Sequence, residues 1–268
     1  MKEKIRVAVC FSGQIRDWKL ASKNILTYFS PAKDSGISVD YFIHTWDTNT
    51  WRFPKTDIHT YIDKKHNDIS ELVDTYKPVS YHMSEYHCNE WKSSWDPLFY
   101  SFEYSIMLKR QYELENNFVY DIVIKARPDT VYNPTKRFPF YHHVDDGSCY
   151  TATEIARFSA EFNTQCFDDV MFFGNSKTMD VLSGLYKYYA LKHRDNKNPE
   201  ITVKQLNINT ELHLGPGTLL YRYAISHNIH PDSYKIDYAI VRSTMQGKGL
   251  DSVEDYDKIK KLWQEWYI

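Results

Sequence analysis

The chain has 268 residues, and its Lys+Arg 33 against Asp+Glu 35 give a net charge of -2, which excludes a strongly basic nucleic-acid binder held by phosphate contacts. Hydrophobic content of 42% and aromatic content of 16% exclude a disordered chain, because large side chains offset the entropy of ordering. No window approaches the roughly 20 apolar residues needed to cross a bilayer, and Met1 to Cys10 lacks a signal-peptide core, so a cytoplasmic protein without a transmembrane segment is expected.

The first apolar run, Ile5 to Phe11, reads as a strand buried on both faces and ends at Ser12-Gly13. An amphipathic helix follows from Trp18 to Phe29, stopped by Ser30-Pro31, and Val39 to His44 forms a second strand, which together make a βαβ unit. A helix over Asp57 to Tyr76, broken near His66-Asn67, precedes a short strand at Val79 to Met83. From Asp96-Pro97, read as an N-cap followed by proline in the first turn, a long helix runs to Glu115 and stops at Asn116-Asn117. Tyr120 to Ala126 is a central strand that ends at Arg127-Pro128-Asp129.

In the second half, Tyr132 to Tyr141 reads as loop, Cys149 to Thr153 as a short strand, and Asp168 to Gly174 as another apolar strand. Ser176 is expected to cap a helix with Met179, Leu182, Tyr186 and Tyr189 on one face. Helix from Thr218 to Ser226, strand from Lys235 to Arg242 and helix from Val253 to Trp266 complete the chain. This alternation predicts a single α/β domain with a mixed, mainly parallel sheet flanked by helices. Cys10, Cys88, Cys149 and Cys166 show no CxxC spacing, which fits reduced thiols better than a zinc site or disulfides.

The glycine pairs Gly215/Gly217 and Gly247/Gly249 lack a third glycine, since Leu220 and Ser252 stand at the dinucleotide spacing. Motifs of P-loop kinases, zincins and serine hydrolases are also absent from the sequence. Attention therefore falls on side chains at the carboxyl ends of the strands, where open α/β sheets gather ligands. The first strand delivers Ser12, Gly13, Gln14 and Arg16, the second His44, Thr45, Trp46 and Asp47, and the central strand Arg127 and Asp129. Hydroxyl, guanidinium and carboxylate groups on one edge suit a phosphorylated ligand with a divalent cation.

The segment Tyr120 to Asp129 resembles the strand and acidic motif of GT-A-fold glycosyltransferases, and Ser12 to Arg16 is similar to the nucleotide-binding start of bacterial and viral members. Asp168 to Gly174 looks like their later acidic strand. The resemblance implies one Rossmann-like GT-A domain over 1–268, with a nucleotide-binding half over 1–130 and an acceptor-side half over 131–268. It implies a nucleotide-sugar donor, a glycan or other hydroxyl acceptor, and Mn²⁺ or Mg²⁺ on Asp129, the last residue of an Asp-x-Asp motif whose first Asp is here Arg127. It also implies His230 as a further metal ligand, Ser12, Gly13, Gln14 and Arg16 as nucleotide-binding residues, and Arg127 either near the phosphates or holding Asp129. Trp46, just past the second strand, is read as a further nucleotide contact because aromatic planes stack on bases.

A base for the acceptor hydroxyl is sought among carboxylates, with Asp169 first, its neighbour Asp168 in reserve, and Glu211 second. Trp46, Trp51, Trp91 and Trp95 fall in predicted loops, where stacking on a base or sugar competes with packing. Two other readings stand beside transfer: a sugar nucleotidyltransferase, for which the loop after the first strand is glycine-poor, and a non-catalytic carbohydrate- or nucleotide-binding module.

Overall fold

The computed structural model describes residues 4–52, 60–66, 68–86, 95–142, 144–152, 167–188 and 216–240. Its opening βαβ unit is β1 (Ile5–Ser12), α1 (Trp18–Tyr28) and β2 (Ile37–Trp46). Strands β3 (Thr48–Arg52) and β4 (Thr60–His66) form an antiparallel pair, followed by α2 (Ser70–Tyr76) and β5 (Ser80–Ser84). Helix α3 (Asp96–Asn116) leads to β6 (Ile122–Ala126) and β7 (Thr130–Tyr132). The remaining elements are β8 (Ser148–Thr151), β9 (Phe172–Gly174), α4 (Ser176–Ser183), α5 (Pro216–Ser226), β10 (His230–Ser233) and β11 (Tyr238–Ile240).

The expected α/β architecture is present as a seven-stranded sheet in the order β10-β8-β9-β6-β1-β2-β5. Strands β6, β1, β2 and β5 run parallel, while β9 is antiparallel to both β6 and β8. Strands from both sides of position 130 share this sheet.

Alternation along β1 divides the core between two faces, as the two-residue period of a strand requires. Val7, Val9 and Phe11 pack with Ile25 of α1, Leu72 of α2 and Ile124 of β6. Ala8 and Cys10 pack on the other face with Phe102 and Ile106 of α3, Met179 of α4 and Leu220 of α5. Burying each such large apolar side chain contributes about 1.5–3 kcal/mol relative to exposing it. Cys10 and Cys149 are free and buried, and burial pushes both thiols up, which keeps them protonated and inert.

Buried Lys109 ties α3 to α4. Its ammonium donates to Glu113 Oε2 at 2.9 Å, Asp180 Oδ1 at 2.7 Å and Ser176 Oγ at 2.5 Å. Glu113 Oε1 in turn accepts from Ser176 Oγ and from the Tyr120 backbone N–H, each at 2.8 Å. A lysine with no exposed side-chain surface is tolerated here because each nearby charge is paired and hydrogen-bonded.

Several local expectations are corrected. Residues 60–66 form a strand rather than helix, in keeping with the β-branched and aromatic Thr60, Tyr61 and Ile62. Helix α3 starts at Asp96 itself, with Trp95 at the cap and no side-chain cap bond. Asn175, rather than Ser176, caps α4, and its side chain accepts from the Thr178 N–H at 2.9 Å. Strand β10 was not expected; it is a short edge strand containing Pro231, a position where a missing N–H is tolerated. The strand expected over Lys235 to Arg242 is seen at Tyr238–Ile240, and the helix expected over Val253 to Trp266 lies outside the described residues.

Candidate functional site

Parallel pairing brings four strand ends to one edge of the sheet. Ser12 pairs with His44, His44 with His82, and Phe11 with Ala126, so the carboxyl ends of β1, β2, β5 and β6 lie side by side. The antiparallel sense of β9 adds a fifth segment: Lys125 pairs with Phe172, which puts the residues before β9, Asp168 and Asp169, at the same edge. The apolar strand expected from Asp168 is thus shorter than its apolar run. Asp168 Oδ1 accepts from the Val170 N–H at 2.8 Å, a local turn that holds 168–171 out of the ladder.

The acids and bases at this edge have different partners. Arg127 donates from Nε and Nη2 to the two oxygens of Asp129, each at 2.8 Å. Asp129 is fully buried, while the Arg127 side chain keeps 19% of its surface exposed. Burial alone would pull the Arg127 guanidinium down, but Asp129 beside it outweighs burial and raises it. Asp168 is buried, accepts from Val170 and from the Tyr238 hydroxyl, and is raised by burial against the pull of those bonds. Asp169 is half-buried, and its carboxylate has no hydrogen bond among the described residues.

Lys125 was not singled out by sequence reasoning, although one lysine within Ile122-Val123-Ile124-Lys125-Ala126 breaks the apolar run. It is buried, and its ammonium donates to the backbone carbonyl of Asp169 and, at 3.4 Å, to that of Val170. Burial pulls Lys125 down to about 8, with Asp169 opposing the shift. The lysine holds the turn that carries Asp168 and Asp169 against the end of β6.

On the other side of β1, Gly13 has φ +113, a conformation that side chains disfavour. Its N–H donates to Ser101 Oγ at 2.6 Å, and Ser101 Oγ lies 2.8 Å from His44 Nδ1. His44 Nε2 lies 2.9 Å from Ser84 Oγ, so the loop after β1, helix α3, β2 and β5 are joined by one polar chain. Burial, with His82 nearby, lowers His44 to about 3. A neutral ring suits two hydroxyl neighbours, since it donates from one nitrogen and accepts at the other. Arg16 Nε donates to Gln14 Oε1 at 2.7 Å, which orients that arginine.

The structure therefore brings Ser12, Gly13, Gln14, Arg16, Arg127, Asp129 and Asp169 to one edge. Trp46 is also there, but it is 2% exposed and meets His44 and Tyr86 edge-on at 5.1 and 5.3 Å, so it packs within the cluster instead of offering a free face. His230 is not brought to this site. It starts β10, pairs with Ser148 at the start of β8, and so lies at the opposite edge, because β8 and β6 run the same way beside the antiparallel β9. Trp95 packs against the α3 core; Glu211 and Trp91 lie outside the described residues, as does the Trp51 side chain.

The divalent cation implied by the resemblance does not fit these side chains as they stand. Both Asp129 oxygens face Arg127, and no group of three or more His, Cys, Asp or Glu able to hold a metal ion occurs among the described residues. No helix among those residues is long and apolar enough to cross a membrane. No family model matches the chain, and no curated protein matches it.

Proposed function

We propose that this chain is a glycosyltransferase that moves a sugar from a nucleotide-diphosphate donor to a hydroxyl of a glycan or similar acceptor. The observation that carries the reading is the convergence, through antiparallel β9, of Asp169 with Arg127 and the Ser12 to Arg16 loop at one sheet edge. In this reading Arg16 and Arg127 face the diphosphate, and Asp169 faces the acceptor. The acceptor oxygen forms its bond to the anomeric carbon while its proton passes to Asp169. The bond from that carbon to the diphosphate oxygen breaks, and the electron pair leaves with the diphosphate, whose added charge the guanidinium groups stabilise. A cytoplasmic enzyme using a soluble donor accords with this scheme.

Calorimetry with a panel of UDP-, GDP-, ADP- and CMP-sugars, followed by transfer assays, tests the proposal. At least one donor is expected to bind and turn over; binding of none would sink it. A non-catalytic module remains the second reading, favoured by the closed Arg127–Asp129 pair, and it predicts donor binding without turnover.

A further inference from the structure

The acidic motif at the end of β6 closes on itself. Arg127 spends two of its five N–H donors on Asp129, one from Nε and one from Nη2, each 2.8 Å from a different carboxylate oxygen. This fork-to-fork geometry fixes the guanidinium plane, and the fully buried Asp129 sits behind it. A bridging cation would need an Asp129 oxygen turned toward the ligand, where the structure has a guanidinium edge instead. The neighbouring Asp168 is also engaged, by Val170 and Tyr238. Arg127 keeps three N–H groups outside the pair, and its side chain retains 19% of its surface exposed.

We propose that Asp129 is a positioning residue that aims Arg127, and that anionic phosphate at this edge is met by Arg127 without a divalent cation on Asp129. The identity of the anion as a diphosphate rests on the glycosyl-transfer reading; the assignment of Asp129 does not. Arg127 supplies fixed positive charge where a metal would otherwise stand, and its planar fork matches phosphate oxygens in a way a lysine cannot.

Two measurements on the full chain test this. The electron paramagnetic resonance signal of free Mn²⁺ is followed as wild type and Asp129→Asn are added, with and without UDP or GDP. No loss of signal beyond that caused by the nucleotide alone is expected; a saturable loss that Asp129→Asn abolishes would overturn the proposal. Calorimetry with UDP and GDP then compares EDTA with Mn²⁺. Affinity is expected to agree within about twofold in the two buffers and to fall about tenfold in Arg127→Lys, which keeps the charge and loses the fork. A nucleotide that binds wild type only with Mn²⁺ would also overturn it. If neither nucleotide binds in either buffer, the glycosyl-transfer reading fails, while the Mn²⁺ signal still decides the role of Asp129.

Discussion

Neutral His44 sets a pH dependence that can be isolated. Its folded-state value, about 3, lies below its ordinary 6.5, so as pH falls the unfolded chain takes up the proton first. The stability present above pH 6.5 is lost progressively toward pH 3, and by pH 5 this one group should cost about 2 kcal/mol. Asp168 acts in the opposite sense: burial raises it, so its contribution is held at low pH and lost as pH rises through its folded-state value. Comparing urea denaturation of wild type and His44→Gln at pH 7 and pH 5 cancels Asp168; the variant should lose the His44 part of the acid sensitivity, and equal pH slopes would contradict the assignment. Residue types at the strand ends were legible in the sequence because apolar runs end abruptly there. Their partners were not: the Lys125 contact to the Asp169 carbonyl and the Gly13–Ser101–His44–Ser84 chain join residues far apart in sequence, which local patterning does not encode.

At the scale of elements, the start of α5 sets the position of the turn that carries Asp168 and Asp169. The Phe167 N–H donates to the Gly217 carbonyl at 3.0 Å, and a Cβ on Gly217 would stand 2.1 Å from the Phe167 carbonyl oxygen. Backbone cannot yield there as a flexible side-chain tip would, so Gly217→Ala should push the helix from the turn, at a cost of about 1–3 kcal/mol. Thermal denaturation and donor affinity measured together check this, and unchanged stability would show that the approach is looser than described. Long periodic elements such as α1 and α3 were readable from spacing and stop signals. Strand β4 was misread as helix because its pairing with β3 (Thr48–Arg52) is tertiary information, and β9 was overextended because Asp168 turns the chain before the ladder begins.

The whole molecule is organised by one antiparallel strand in a sheet whose centre is parallel. Alternating strands and helices announced the layered α/β form, yet the direction of β9 was invisible in its sequence, and direction decides whether Asp169 shares an edge with Arg127 or sits across the sheet from it. Had β9 run parallel to β6, Asp169 would lie with His230 at the opposite edge, and the chemistry proposed here would have no base. The most direct test of the central claim therefore measures turnover and donor affinity of Asp169→Asn side by side, with the donor that binds wild type best. Glycosyl transfer through Asp169 predicts a rate lowered about 10²–10⁴-fold with donor affinity nearly unchanged. A variant that transfers sugar at the wild-type rate would contradict the account.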